Sequence, residues 1–306
     1  MNLSQVSKLT EDQARKLFER VRWPDGPVCP HCGSVEALKL KGKTVRPGLY
    51  KCQGCKGQFT ATVNTILEDS HLPIRTWLMA FAILCSSKKG VSALQLQRQL
   101  GLGSYRSAWH MAHRIRHAMS REPLAGLLGQ SGGTVEVDEF YAGATKVRKG
   151  SPKGKRGRGT KRPAVVALVE RGGRVRARQI ERVDAETLKT AIREYVDRSA
   201  SIHTDELGSY KGIGKEFDGG HHFVTHSADE FARDGVTTNS VESYFALLRR
   251  GLTGSFHHVS KKHLGRYCDE FSFRWDYRKA TDSERTVEAI KAGEGKRLMY
   301  RDPIRK

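Results

Sequence analysis

Two acidic side chains lie in a short segment, Thr134–Tyr141, that has the sequence pattern of a β-strand. Val135 and Val137 alternate with Glu136 and Asp138 at a period of two, and two glycines stand just before the segment. The pattern predicts the valines on one face of the strand and the carboxylates on the other. Two carboxylates on one face inside a folded domain need a cationic partner, and a bound metal ion is one such partner. The alternative is an edge strand with a solvated acidic face.

Two later segments carry acids that suit the same chemistry. Asp205 lies in residues 201–210, where a predicted short strand enters a Gly-Ser turn, a position at which α/β sheets place functional groups. Glu242 lies in residues 238–250, which have helical periodicity. The apolar stripe of this helix contains Val241, Tyr244, Phe245 and Leu248, and a second stripe contains Asn239, Glu242, Ala246 and Arg249. Glu242 is therefore predicted to face away from the core.

Four of the six cysteines form two Cys-x-x-Cys pairs, which are Cys29 with Cys32 and Cys52 with Cys55. Each pair presents two thiolates to one ion, and two pairs supply the tetrahedral sulfur set that Zn²⁺ prefers. Two disulfides are the alternative, which a reducing cytoplasm disfavours. The sequence therefore predicts a structural zinc ribbon. The other two cysteines stand in apolar or aromatic surroundings typical of buried free thiols.

The charge of the chain favours a polyanionic partner. Its 306 residues include 54 Lys and Arg against 33 Asp and Glu, a net charge of +21, and nucleic acid is the first expectation for such a chain. An anionic membrane surface is the competing partner, but no apolar run approaches the roughly 20 residues that span a bilayer. Residues 1–5 lack the features of a signal peptide. We therefore expect a cytoplasmic protein that binds nucleic acid.

Helical periodicity through residues 73–119 predicts a helix-turn-helix-like domain, with its tight turn at Gly101-Leu102-Gly103. The outward face of the last helix is predicted to present basic and histidine side chains to phosphates and base edges of DNA. These side chains are Arg106, His110, His113, Arg114 and His117. A plain helical hairpin with a solvated basic face is the alternative.

The most biased segment of the chain, residues 146–162, is basic and rich in glycine. Apart from Val147 it lacks apolar residues with which to pack, so we expect it to be mobile until a polyanion orders it. The DNA contacts predicted within it are Lys153, Lys155, Arg156 and Arg158. A nuclear localisation signal is the alternative.

These features predict a chain of the α/β class, organised as an α+β multidomain protein. The predicted parts are an N-terminal helix at 1–22, a zinc ribbon at 23–72, the helix-turn-helix-like domain at 73–119, a linker at 120–133, a catalytic domain at 134–278 and a charged, peripheral C-terminal tail at 279–306. Within 134–278 the order is three strands, a helix, a strand and a helix. That is the order of an RNase H-like domain, in which helices flank a mixed sheet.

Four phrases of the sequence, taken with the zinc ribbon, resemble one protein family. The phrases are Val137-Asp138-Glu139-Phe140-Tyr141, His203-Thr204-Asp205, Asn239-Ser240-Val241-Glu242-Ser243 and, at 254–260, Gly-Ser-Phe-His-His-Val-Ser. They resemble the DDE transposases of bacterial insertion sequences, in the subgroup with an N-terminal zinc ribbon and an RNase H-like catalytic domain. The resemblance covers roughly residues 17–278.

The resemblance implies a two-metal enzyme. It implies that Asp138 is the ligand shared by two Mg²⁺ ions, for which Mn²⁺ can substitute, and that Asp205 and Glu242 each complete one site. It also implies that Asn239 coordinates through its amide oxygen or positions DNA, and that Arg249 holds a phosphate. The neighbouring acids that the sequence alone does not separate from these ligands are Glu136, Glu139 and Glu206.

The implied substrate is double-stranded DNA, as the terminal inverted repeats of a mobile element and as target DNA. The implied reaction is hydrolytic cleavage at the element's ends followed by strand transfer, by a homodimer or larger assembly on DNA in the bacterial nucleoid. Two alternatives stay open at this point. One is an RNase H-like nuclease or resolvase that does not transpose, and the other is a zinc-ribbon, helix-turn-helix regulator without enzymatic activity.

Overall fold

The structure, a computed structural model, describes residues 2–120, 126–143 and 162–304. The chain forms two compact units, the first made of Met1–Ser120 with Lys279–Lys306 and the second of Arg121–Arg278. None of the helices in the described ranges has both the length and the hydropathy needed to cross a bilayer. The predicted basic segment lies outside the described residues except for its last position; this includes Lys153, Lys155, Arg156 and Arg158.

The first unit contains the zinc ribbon between helices. Its helices up to residue 120 are α1 Leu3–Ser7, α2 Glu11–Arg22, α3 Ile74–Ser86, α4 Ala93–Leu100 and α5 Tyr105–Met119, and the ribbon strands are β1 Ala37–Lys39, β2 Tyr50–Cys52 and β3 Gln58–Phe59. The strands pair antiparallel in the order β1-β2-β3. Over residues 1–22, two helices replace the single helix predicted, because Asn2 and Thr10 each begin a helix with a capping box of its own.

The C-terminal segment is not the peripheral tail that the sequence predicts. It forms α9 Asp282–Lys291 and α10 Arg301–Ile304, and α9 packs against α3 of the first unit. The buried residues of α9, about one helical turn apart, are Thr286, Ala289 and Ile290. Most of the other residues of α9 are charged, so the average composition of the C-terminal segment does not indicate this narrow buried stripe.

A five-stranded mixed sheet forms the centre of the second unit. Its strands are β4 Thr134–Tyr141, β5 Ala164–Glu170, β6 Val175–Ile180, β7 Ser201–Thr204 and β8 His221–Phe223, in the order β6-β5-β4-β7-β8. β4, β5 and β6 are antiparallel neighbours, whereas β7 pairs parallel with β4 and β8 pairs parallel with β7. A small hairpin of β9 Ala232–Arg233 and β10 Val236–Thr237 follows. This topology confirms the predicted mixed-sheet fold class.

Helices cover both faces of this sheet. α6 Ala185–Tyr195 shares a core with the β4 valines on one face, and α7 Asn239–Arg250 and α8 Lys261–Asp276 pack on the other. The buried residues of α7 are Val241, Tyr244, Phe245 and Leu248, the predicted apolar stripe. Gly251 ends α7 where a Cβ atom would collide with the Phe271 ring, so only glycine permits this approach of α7 and α8.

Candidate functional site

The parallel pairing of β4 and β7 brings two of the predicted acids to adjacent positions. Glu136 pairs with His203 in this register, so two positions further along each segment Asp138 stands beside Asp205. Asp205 directly follows the last residue of β7. Its carboxylate accepts a hydrogen bond from the Leu207 amide at 3.0 Å, which turns the chain immediately after the acid.

Glu242 lies in the first turn of α7 and therefore above the face of β4 that carries Asp138. The Thr238 hydroxyl donates a hydrogen bond to Glu242 Oε1 at 2.9 Å. The same oxygen lies 3.4 Å from His226 Nε2, and the Glu242 side chain is 47% exposed. Two neighbours thus hold the carboxylate while leaving it accessible from solvent.

The Asp138 carboxyl stands in a strongly negative environment. Burial raises its pKa well above the ordinary range, and the charges of Glu139, Asp205 and Glu242 raise the pKa further, while a 2.7 Å hydrogen bond from the Glu139 amide acts in the opposite direction. Because Asp205 and Glu242 both act on Asp138, the three predicted ligands share one electrostatic environment. A divalent cation is the kind of partner that would neutralise it.

In the part of the chain that the structure describes, the three carboxylates do not form a ready-made group of ligands for one ion. Among the described residues, the group of potential ligand side chains whose donor atoms all lie within 4.8 Å of one another is the cysteine set of the first unit. Carboxylate oxygens are the donors that hard divalent ions prefer.

Glu136 has a role that sequence reasoning missed. It is fully buried and accepts the backbone amides of Ser240 at 2.6 Å and Val241 at 3.1 Å, at the start of α7. It also pairs with Arg171, whose Nε lies 3.1 Å from Glu136 Oε1. With both carboxylate oxygens engaged, Glu136 anchors a helix instead of facing solvent or a metal ion. The one sequence signal for this is its position, two residues before Asp138 on the same strand face.

Two further neighbouring acids are also held by the protein. Glu206 accepts the backbone amides of His226 at 2.8 Å and Ser227 at 3.2 Å, which fixes the loop beside Glu242. Glu139 accepts a hydrogen bond from the Tyr210 hydroxyl at 3.0 Å. Burial raises the pKa of Tyr210 well above its ordinary range, so this hydroxyl remains a donor. Glu206 and Glu139 thus each have hydrogen-bond partners within the protein.

The two predicted auxiliary residues lie on the exposed side of α7. Asn239 is the first residue of the helix and is exposed. Arg249 is exposed, and its guanidinium lies over the Phe140 ring with 5.0 Å between the guanidinium carbon and the ring centroid. Phe140 follows Asp138 by two positions on the same face of β4, so its ring holds the Arg249 guanidinium on the sheet face that carries Asp138.

The outward orientation predicted on α5 is wrong for two of the five side chains. His113 and Arg114 are buried; the Arg114 guanidinium lies over the Trp77 ring and donates to the Glu68 carbonyl. Helical periodicity groups these side chains correctly but does not show that α3 and the C-terminal segment cover them. The ring nitrogen of His110, for example, is 3.1 Å from the Leu298 carbonyl oxygen. Of the residues predicted on α5, Arg106 is exposed, and His117 is partly buried.

The four paired cysteines converge in the ribbon. The Sγ atoms of Cys29 and Cys55 are 3.7 Å apart and those of Cys32 and Cys52 are 3.6 Å apart, and all four lie within 4.8 Å of one another. Four sulfurs about 2.3 Å from a tetrahedral zinc ion are about 3.8 Å from each other, so the spacing fits Zn²⁺. The Cys55 amide lowers the pKa of the Cys52 thiol to about 6, whereas the neighbouring sulfurs raise the pKa of Cys55 to about 11, so Cys52 is the first of the two to ionise.

Two parts of the chain match known protein families. Residues 130–276, which contain the three acids, match the family described as ISXO2-like transposase domain. Residues 9–58, which contain the four cysteines, match the transposase zinc-ribbon domain. The chain is also 26% identical over 278 residues to an uncharacterized protein in transposable element ISH50 of Halobacterium salinarum, covering 87% of this chain and 91% of that protein.

Proposed function

Because the chain belongs to the insertion-sequence transposases that join a zinc ribbon to an ISXO2-like domain, we propose that it binds the terminal inverted repeats of its element and catalyses metal-dependent DNA cleavage and strand transfer. The observation that carries this proposal is that the parallel pairing of β4 with β7 and the packing of α7 on the same sheet bring Asp138, Asp205 and Glu242 into one negative environment. Clustered, mutually repelling carboxylates are costly in a folded domain and are typical of functional sites. A regulator that only binds DNA would have no use for them.

The proposed roles follow from the position of each side chain. Asp138, Asp205 and Glu242 would hold the Mg²⁺ or Mn²⁺ ions, with Asp138 as the ligand common to both. When bound, the ions supply activation of an oxygen nucleophile and stabilisation of charge on the phosphate and the leaving 3′-oxygen. Thr238 keeps the Glu242 carboxylate oriented through its 2.9 Å hydrogen bond. The same acids would serve cleavage and strand transfer, because only the nucleophile differs.

Binding of the substrate is proposed to rest on phosphate contacts. Arg249 is exposed above Phe140 and would hold a phosphate close to the acids, and Asn239 would contact DNA or a metal ion at the start of α7. Arg106 would contribute from α5. The net charge of +21 supplies the long-range attraction to duplex DNA. Joining two element ends requires two active sites, so we propose a dimer or larger assembly on DNA.

The test uses the full-length, zinc-loaded protein and labelled duplexes that carry the DNA flanking its coding region. Cleavage in Mg²⁺ or Mn²⁺ and joining of pre-cut ends to a plasmid are measured for the wild type and for Asp138→Asn, Asp205→Asn and Glu242→Gln. We expect both steps to fall to background in these variants, with duplex binding retained. The matched control is Glu216→Gln, which neutralises an acid of the same unit whose ion pair with Arg193 is exposed to solvent, and which should retain both steps.

Each result has a distinct meaning. Cleavage that persists in one of the three variants would show that its residue is not a ligand. A wild-type protein that cleaves but does not join ends would be a nuclease or resolvase. One that binds duplexes without cutting them under any metal condition would be a regulator.

A further inference from the structure

The three proposed catalytic acids share a sequence relation that the structure makes meaningful. Two residues before each acid in the sequence lies a side chain that belongs to one hydrogen-bonded network. Glu136 precedes Asp138, His203 precedes Asp205 and Ser240 precedes Glu242. Glu136 and His203 are direct partners in the parallel register of β4 and β7, and Ser240 donates to Glu136 through its hydroxyl at 3.1 Å.

Glu136 supplies the cap that α7 lacks locally. Thr238 occupies the N-cap position of α7 but makes no side-chain cap bond, because its hydroxyl donates to Glu242 instead. The first-turn amides of Ser240 and Val241 donate to Glu136 Oε2 at 2.6 and 3.1 Å. A carboxylate at the N-terminus of a helix is favoured both by these bonds and by the helix dipole. The strand that carries Asp138 therefore holds the helix that carries Glu242.

Arg171 links this cap to the third acid. Besides its pair with Glu136, its guanidinium lies 3.3 Å from His203 Nδ1. It also donates to the carbonyl oxygens of Gly235 at 3.1 Å and Thr237 at 3.5 Å, in the segment that enters α7. The Arg171 guanidinium thus contacts Glu136 and His203, which lie two positions before Asp138 and Asp205. It also contacts the backbone that enters α7, the helix that carries Glu242.

We propose that Glu136 is a positioning residue, which sets the separation of the three acids by joining β4 to the first turn of α7 and, through Arg171, to β7. The inference rests on the proposed function, since it concerns the geometry of the same metal site. Glu136 contacts neither metal nor DNA in this scheme. Glu136 keeps Asp138 and Glu242, which are more than a hundred positions apart in the chain, at a fixed separation before any ion binds.

The test is Glu136→Gln in the full-length, zinc-loaded protein. The glutamine side chain has the same shape as glutamate, but its NH₂ group would face hydrogen-bond donors. These donors are either the Ser240 and Val241 backbone amides or the Arg171 guanidinium. Supporting side chains of metal ligands typically contribute 10–100-fold to metal affinity or activity, so we expect kcat for cleavage to fall about 10–100-fold while KM for the duplex changes less than about threefold. Direct Mn²⁺ binding, followed by the electron paramagnetic resonance signal of free Mn²⁺, should weaken about tenfold or more.

A matched control distinguishes positioning from general stability. Glu170 also accepts two backbone amides, from Gly129 at 2.9 Å and Arg174 at 3.3 Å, but these bonds do not hold α7. We expect Glu170→Gln to lower the melting temperature without changing the Mn²⁺ binding constant. If Glu136→Gln does not fold, Arg171→Lys carries the test, because that side chain is 38% exposed and the substitution keeps the charge; it should weaken Mn²⁺ binding about threefold or more.

Three outcomes decide the inference. Weaker Mn²⁺ binding in folded Glu136→Gln, with duplex binding retained, supports it. Wild-type Mn²⁺ binding in folded Glu136→Gln, or activity that falls only with the folded fraction, overturns it while leaving the proposed function intact. A wild-type protein that neither binds Mn²⁺ in the second unit nor cleaves DNA overturns the proposed function, and this inference with it.

Discussion

Replacing Asp138 by Asn should have opposite effects on stability and on activity. The carboxyl is buried near Glu139, Asp205 and Glu242, which all raise its pKa. Without added divalent metal this arrangement opposes folding, because the unfolded chain separates the charges. Asn is nearly isosteric with Asp and removes one member of the cluster. We therefore expect Asp138→Asn to be inactive and yet more stable than the wild type in metal-free buffer.

The magnitude follows from Coulomb's law with screening. Two carboxylates about 6 Å apart repel by about 3 kcal/mol at an effective dielectric constant of about 20. The Glu242 side chain is 47% exposed, so solvent removes much of its share. We expect Asp138→Asn to raise the free energy of unfolding of the second unit by about 1–2 kcal/mol, or about 2–8 °C in melting temperature.

The assay is thermal unfolding of zinc-loaded wild type and variant at several pH values, without and with Mn²⁺. Because the folded-state pKa of Asp138 is raised, its cost to stability is absent below the ordinary carboxyl pKa, grows as pH rises towards the raised value and is complete above it. The stability difference should therefore be largest at neutral pH and vanish near pH 4. Mn²⁺ should stabilise the wild type and not the variant. A variant less stable than the wild type in metal-free buffer at neutral pH would refute this electrostatic account.

Three further outcomes are expected. Cys52→Ser should lose bound zinc, measured by metal analysis, and unfold the ribbon, because a zinc ribbon folds with its metal; Cys85→Ser should keep zinc. Arg114→Ala should destabilise the first unit by about 2–4 kcal/mol in denaturant unfolding, through lost packing on Trp77 and a lost buried hydrogen bond, with duplex affinity of the folded fraction unchanged. Arg106→Ala should change stability by less than about 0.5 kcal/mol and weaken duplex binding with a salt slope reduced by about 1 in filter-binding titrations.

Local patterns predict much of this molecule because they depend on short-range geometry. The alternation in β4 correctly places the valines opposite Asp138, and the 3.6-residue period of α7 gives the same buried stripe as the structure. Two Cys-x-x-Cys pairs specify a zinc site through spacing alone. The order of strands and helices is sufficient to predict the mixed sheet.

The sequence does not show which face of a strand or helix is covered by another segment of the chain. From the local sequence, Glu136 is interpreted as an exposed or metal-bound acid, because its partners, the first amides of α7, are about a hundred residues away in the chain. His113 and Arg114 read as a DNA-binding surface because burial by other helices is non-local. In each case periodicity identifies the face correctly, and only tertiary packing decides whether that face meets solvent, nucleic acid or protein.

Residues 279–304 belong to the same compact unit as residues 2–120, so this unit cannot be completed before the C-terminal segment has been synthesised. The ribosome makes the whole second unit before α9 emerges, and at about 5–20 residues per second this interval lasts on the order of 10–30 s. During that time the apolar surface of α3 that α9 covers stays open. A chain that stops after the catalytic acids would retain the proposed chemistry but carry an unfinished zinc-ribbon unit. Translation thereby couples completion of that unit to synthesis of the full-length polypeptide.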